Sequence, residues 1–341
     1  MKTQADKIKE YLLKYIPKHP QDIVAIAAKK FGVTRTTIHR HLESLIQNKK
    51  IIKTGTTRDV VYTLTHALNR ELSYRIGPQL EEFSILTTDF DGALKQLPEN
   101  IYDICTYAFT EIFNNAMDHS HGTKITAATF SDGKSISLSI ADNGIGIFKN
   151  IYEYFHLDDI RESILQINKG KMTTDPINHS GEGLFFCARA FDIFEIHANG
   201  LHYYRDNRVQ DWGVSSVPMS RGSKVVMTIS LDSTTELVNV FKEFQEQDDI
   251  AFDRTEILVE LSRLAEEKLI SRSQAKRILR DLDKFKRVTL DFSGVKLVGQ
   301  GFVDEVFRVY ANYHPEMEFN YINANPDVTF MIKRGLATAK R

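Results

Sequence analysis

Cysteine is scarce, two residues in 341, and both Cys105 and Cys187 lie in apolar stretches. That excludes a disulfide scaffold and a cysteine zinc site, and it predicts reduced core thiols. No other metal-ligand cluster stands out along the chain. Glycine (18) and proline (8) are sparse and no tract is low in complexity, which excludes fibrous and mostly disordered classes. No run approaches the ~18 apolar residues that suggest a membrane span. The start MKTQADKIKE lacks the apolar stretch of a signal peptide, so the expectation is a soluble, cytoplasmic chain without a membrane partner. What is present is a 42% apolar, 26% charged sequence, long enough for two or three domains with buried cores.

The near-neutral total hides an asymmetry. Residues 1–68 carry 13 Lys/Arg against 5 Asp/Glu, a net of +8, leaving 31 against 40, or −9, for the remainder. A basic module attached to an acidic body suits a polyanionic partner at that module alone. Ala5 to Tyr15 reads as a helix broken by Pro17 and Pro20, and Ile23 to Lys30 as a second. Thr34 then N-caps a third helix ending near Asn48, with Ile38, Leu42, Leu45 and Ile46 as its buried stripe. IIKTGTTRDVVYTL reads as two strands joined around Gly55.

Three helices followed by a hairpin resemble the winged helix-turn-helix family across the whole segment. The resemblance implies double-stranded DNA as partner, with Arg35, Thr36, Thr37, His39 and Arg40 near the exposed half of the third helix and Lys53 and Arg58 beside the hairpin turn. The alternative is a charged, solvated face used for protein contacts. Residues 69–82 read as a helical connector in which Leu72, Ile76 and Leu80 favour a homodimer.

In the central segment, Ile101 to His119 predicts a helix with Glu111, Asn115 and Asp118 at i, i+4 and i+7, so two carboxylates and an amide share one side. Lys124 to Phe130 and Ser135 to Ile140 read as strands joined by Asp132-Gly133. Asp142-Asn143-Gly144-Ile145-Gly146-Ile147 follows, with glycines that let backbone approach a ligand. Gly181-Glu182-Gly183-Leu184 then opens an apolar helix whose first amides suit phosphate oxygens. Ile193 to Ala198, Val214 to Pro218 and Lys224 to Leu231 read as further strands.

TEIFNNAMDHS, DNGIGI and GEGLF, in that order, resemble the N box and two glycine boxes of the GHKL superfamily: gyrase, heat-shock chaperone, histidine kinase and mismatch-repair ATPases. The resemblance covers about 150 residues. It implies the Bergerat fold and the cofactors ATP and Mg2+. Position by position, it implies Asn115 as the Mg2+ ligand, Asp142 as the adenine-reading carboxylate with Gly144 and Gly146 beneath the nucleotide, and Gly181, Gly183 and Leu184 as phosphate contacts. It further implies Ser223 beside the adenine and Glu111 as the general base. Asp118, Asn143, Ile147 and Glu182 complete the expected nucleotide site. Lys169, Lys171 and His179 fall in the corresponding lid and either reach the phosphates or, the favoured reading, are solvated; His119 either binds phosphate or caps its helix.

Ser271 to Leu282, Arg287 to Phe292, Gln300 to Tyr310, Glu318 to Asn323 and Pro326 to Arg334 alternate helix, strand, helix, strand and helix, which predicts a small α/β domain. LDFSGVKLVGQGFVDEVFRVY and INANPDVTFMIKR resemble STAS-like domains related to anti-sigma-factor antagonists. Where those relatives carry a phosphorylatable serine this chain has Gly299-Gln300-Gly301, and Ser293 is not its substitute. A protein-partner role is therefore expected for this module.

The fold class is thus a multidomain α/β (α+β) chain: winged helix over 1–68, connector over 69–82, Bergerat α/β sandwich over 83–232 and STAS-like domain over 238–341. No two-helix histidine bundle precedes the N box, so an ordinary autophosphorylating histidine kinase is not expected. Three functions stay open: a transcriptional regulator whose DNA or partner affinity is switched by ATP binding or slow hydrolysis, a Ser/Thr-type kinase or ATPase acting on a separate partner, and a scaffold that does not bind DNA.

Overall fold

The structure, a computed structural model, describes residues 3–48, 50–55, 60–64, 68–172, 181–246, 249–262 and 269–339. It is a multidomain mixed α/β chain that divides into two compact units, residues 1–146 with 187–237, and residues 147–186 with 238–341. Among the described residues no helix is long and apolar enough to cross a membrane.

The first unit begins with α1 (Gln4–Tyr15), α2 (Ile23–Phe31), α3 (Arg35–Gln47) and the antiparallel pair β1 (Ile51–Thr54) and β2 (Val61–Leu64). Local chemistry sets the helix ends. Thr3 and Asp6 form a capping box on α1, and the Thr34 hydroxyl accepts the Thr37 amide at 3.2 Å to start α3. Ile8, Leu12, Ile23, Ala27, Ile38, Leu42 and Leu45 then close one core with Ile51 and Tyr62. The α3 stripe forms as expected, with Ile46 only half-buried.

β3 (Arg70–Arg75) corrects the helical connector: it pairs with β4 (Lys124–Ser131) at the edge of a large sheet. Leu72 and Tyr74 are half-buried while Glu71, Ser73 and Arg75 are exposed, a period of two that the i, i+4 spacing of Leu72, Ile76 and Leu80 disguised. The spacing that favoured a dimer helix is therefore not on a helix. After α4 (Glu82–Ile85), a π-helical turn over Leu86–Phe90 and α5 (Asp91–Leu94), the long α6 (Glu99–His119) buries Ile101, Ile104, Cys105, Ala108, Phe109, Ile112, Phe113 and Ala116. It packs on β4 and β5 (Ser135–Asp142). Phe109 lies 5.1 Å from Phe90 and 5.3 Å from Phe113 between ring centroids, and each such buried side chain contributes about 1.5–3 kcal/mol.

The chain then runs through α7 (Ile147–Tyr154) and α8 (Glu162–Lys169), both of the second unit, and α9 (Gly183–Ala190). It returns to the large sheet as β6 (Ile193–Ala198), β7 (Leu201–Asp206), β8 (Asp211–Ser216) and β9 (Ser223–Ser230). The strand order is β3-β4-β5-β9-β6-β7-β8, antiparallel throughout. Alternation on β4, β5, β6 and β9 sends Ile125, Ile136, Leu138, Ile140, Phe194, Ile196, Val225 and Met227 to one buried face and polar side chains to the other.

The second unit adds α10 (Leu237–Glu243), the short pair β10 (Gln245–Glu246) and β11 (Asp249–Phe252), then β12 (Arg254–Leu258), α11 (Arg272–Leu279), β13 (Arg287–Asp291), α12 (Gln300–Asp304), a π-helical turn over Glu305–Tyr310, α13 (Ala311–Tyr313), β14 (Glu318–Ile322) and α14 (Pro326–Ala339). β12, β13 and β14 form a parallel sheet in that order, so helical crossovers are obligatory. Every residue of α8 is buried, and the helix packs on β12. Thr255 Oγ donates to the Lys169 carbonyl at 2.6 Å, and the Leu258 amide donates to Asn168 Oδ1 at 3.2 Å.

Candidate functional site

In the first unit the end of α6 and the loop after β5 are stitched together. The Ile145 amide donates to the Ser120 carbonyl at 2.9 Å, and a Cβ on Gly144 would lie 1.9 Å from that oxygen. A Cβ on Gly146 would lie 2.4 Å from Asn199 Oδ1, while Asn199 Nδ2 donates to the Ile145 carbonyl at 2.8 Å. What requires these glycines is the close approach of neighbouring protein atoms, which refines the expectation that they clear space for a ligand. Asn143 serves the same loop: its Oδ1 accepts the Thr123 and Lys124 amides at 2.8 and 3.0 Å, and its Nδ2 donates to Thr123 Oγ at 3.0 Å.

Asp142 ends β5, half-buried, and receives the Gly144 amide at 2.8 Å and the Ser223 amide at 3.3 Å from the start of β9. Burial pushes its pKa up, and the donated bonds oppose the shift. Ser223 and Asp142 thus meet, from strands that are neighbours in the sheet. On α6, Glu111 and Asn115 are half-buried and Asp118 is exposed, along one side of a continuous helix. His119 sits half-buried in its last turn. Burial pushes the Cys187 thiol well up, with Glu111 as a further cause, so Glu111 lies close to α9.

Ile147, Gly181, Glu182, Gly183 and Leu184 belong to the second unit. Ile147 opens α7 and Gly183 opens α9. The Gly181 carbonyl accepts the Met172 amide at 3.1 Å. Glu182 is half-buried and its pKa is raised by burial, with Lys171 opposing, and Leu184 is buried. The solvated reading of the lid lysines is overturned. Lys169 is 2% exposed, and its ammonium donates to the carbonyls of Arg280 at 2.9 Å and Arg277 at 3.1 Å, with burial pulling its pKa down to about 7. Lys171 Nζ donates to the Lys284 carbonyl at 3.0 Å and lies over the rings of Phe252 and Phe285. His179 lies outside the described residues.

Arg35, Thr36, His39 and Arg40 are exposed on α3, and Lys53 is exposed on β1. Thr37 is half-buried, its hydroxyl 3.0 Å from that of Thr34. Arg58 lies outside the described residues. In the second unit a Cβ on Gly299 would fall 2.6 Å from Ile270 Cα, because the Gly299 amide bonds the Leu269 carbonyl at 2.7 Å. The turn that lacks a hydroxyl therefore has no room for one at that position. Ser293 is turned to Asp291, whose Oδ1 accepts its amide and hydroxyl, both at 2.8 Å.

One cluster escaped the sequence reading. Glu195 and His197 on β6 and His202 on β7 place one ligand atom each within 4.8 Å of one another. The missed strand β7 hid it; the signal was the Asn199-Gly200 dipeptide, a two-residue hairpin turn that sets His197 opposite His202.

Residues 274–329 match the family model described as STAS-like domain of unknown function (DUF4325). That segment holds β13, α12 and β14. No curated protein and no solved structure matches the chain.

Proposed function

We propose that the chain is an ATP-binding regulatory protein whose affinity for double-stranded DNA or a protein partner is switched by ATP binding or slow hydrolysis. The observation that carries this reading is the join between α6 and the β5 loop. There a half-buried Asp142 carboxylate is held by the Gly144 and Ser223 amides, beside a helix that aligns Glu111, Asn115 and Asp118. A fixed, partly desolvated acceptor suits an amino group such as that of adenine. Bound ATP would supply the triphosphate; in this reading Asn115 would hold its Mg2+ and Glu111 would orient the attacking water. The exposed cations of α3 and β1, in a segment of net charge +8, support DNA as the partner of a winged helix.

The test is the fate of gamma-labelled ATP with Mg2+ and the purified chain. Glu111→Ala is expected to abolish phosphate release while retaining most binding, and Asn115→Ala to weaken Mg2+-dependent binding. Absence of Mg2+-dependent ATP binding by the wild type sinks the reading. DNA affinity identical in apo and ATP-loaded protein removes the coupling, since a ligand shifts only equilibria whose states it distinguishes. DNA binding that is absent or insensitive to salt favours the scaffold role.

A second reading, a kinase for a separate partner, is favoured by Gly299. The STAS-like segment has no hydroxyl at that turn, and at Gly299 no space for one, so an acceptor would belong to another protein. Label transferred to a STAS-like partner in trans, and lost with Glu111→Ala, distinguishes it.

A further inference from the structure

We infer that Glu195, His197 and His202 form a binding site for a divalent transition-metal ion of the zinc class. This rests on residues outside the nucleotide reading and stands or falls without it. β6 and β7 are joined by Asn199 and Gly200, with φ of 52° and 77°, the positive values that a tight hairpin turn demands. That turn fixes the register with Ala198 opposite Leu201 and His197 opposite His202. Glu195, two residues before His197, projects from the same face of the strand. The two imidazoles stack with centroids 4.1 Å apart and planes 5° apart. Glu195 Oε1 lies 3.0 Å from His202 Nε2 and 3.9 Å from His197 Nε2.

Those spacings suit a shared ion. Zinc–nitrogen and zinc–carboxylate bonds of about 2.0–2.2 Å at tetrahedral angles put neighbouring ligand atoms roughly 3.3 Å apart. The two Glu195 separations bracket that value and all three ligand atoms lie within 4.8 Å of one another; seating the metal requires the stacked rings to tilt out of parallel so that their in-plane lone pairs converge. Two imidazoles and one carboxylate favour a borderline ion over Mg2+ or Ca2+, which prefer oxygen ligands. Three protein ligands leave a coordination position for water or an incoming group. Their side chains are 20–35% exposed, so an ion has access.

The surroundings on that face are compatible. Lys224 on β9 lies opposite His197 and Ser215 on β8 opposite His202. Lys224 is the adverse charge, but it is exposed, and its long stem lets the ammonium turn to solvent. Tyr204, two residues after His202, donates its hydroxyl to Asp211 at 3.0 Å, and its ring lies 6.0 Å from that of His202.

The experiment uses the full chain, stripped of metal by a chelator and titrated with Zn2+ by calorimetry and with Co2+ by visible absorption. The expected result is one ion per chain and, with Co2+, the intense bands of a four-coordinate centre. His197→Ala with His202→Ala is expected to weaken binding by more than about 10–100-fold, the range that supporting residues alone command. Glu195→Gln preserves side-chain shape and provides the second variant should the double substitution fail to fold. Zn2+ should also raise the melting temperature of the wild type and leave that of the variants unchanged. Wild type that binds no stoichiometric Zn2+, or Glu195→Gln and the folded double variant binding it as tightly as wild type, overturns the site.

Discussion

The two sheets use charge in opposite ways. On the seven-stranded antiparallel sheet one face is apolar and packed, while the other carries Glu195, His197, His202 and Lys224 at least partly open to solvent. In the parallel unit two charges are drawn inside. Glu162 is 1% exposed, with Arg277 at 3.4 Å and Arg280 at 3.6 Å, and Lys169 is 2% exposed on two carbonyls. A carboxylate or amine on an open face keeps its capacity for a ligand, whereas one inside must be matched by its neighbours or become very costly. The difference teaches that a charged residue in a lid-like sequence is no guide to phosphate binding until its burial is known. Three members of α8, Glu162, Asn168 and Lys169, hold the parallel unit together.

The largest effects test whether the two compact units are separate in energy. Phe109→Ala removes a fully buried ring from the antiparallel unit and Phe302→Ala one from the parallel unit, each costing about 3–5 kcal/mol. Calorimetry should show each variant lowering its own transition; both lowering one shared transition would erase the distinction. Next come the crowded glycines. Gly144→Ala drives a Cβ toward the Ser120 carbonyl and Gly299→Ser one toward Ile270, each expected to cost about 1–3 kcal/mol by overpacking. Denaturant unfolding measures both. A Gly299→Ser chain as stable as wild type would show that the missing hydroxyl is not a matter of space.

Lys169 gives the comparison a pH axis. Burial pulls its folded pKa down to about 7, against the ordinary 10.5 of a lysine. Between those values the unfolded chain binds more protons, so this lysine makes stability rise with pH across that window and contributes no slope below it. Lys169→Met should remove that slope. Other groups titrate there as well, burial having pushed the Cys105 thiol up to about 12, so the quantity to follow is the melting-temperature difference between wild type and variant at pH 7 and pH 9. A difference that stays constant would place the Lys169 ammonium in contact with water.

Legibility followed the range of the interactions. α3 with its Thr34 cap, the Asp132-Gly133 hairpin, α6 and β13 were all readable, because caps, turns and apolar periodicity act within a few residues. β3 was misread, since Leu72 and Ile76 fit a helix as well as a strand until β4 supplies the partner. β12 and the burial of α8 were not readable: Lys169 finds its carbonyls 108 and 111 residues further on, and no local pattern announces that. The metal-ligand triad lay between, a local hairpin passed over because a histidine on a polar strand face looks like ordinary solvated surface.

The smallest expected effect bears on how the open face is joined to the loop after β5. Asn199 occupies the hairpin turn at positive φ and donates its amide to the Ile145 carbonyl. Asn199→Ala would confound the lost hydrogen bond with strain at that backbone angle, whereas Asn199→Gly keeps the turn and removes the side chain. The cost should be about 1 kcal/mol, the net worth of one hydrogen bond, read from urea unfolding. Amide exchange should quicken around Gly144 to Gly146 while the β6–β7 ladder keeps its protection. If the ladder loosens as well, the turn depends on the loop, and the open face and the Asp142 loop form one cooperative element; if neither changes, the Asn199 bond is incidental and the bonds of Ser120, Asn143 and Asp142 hold the loop.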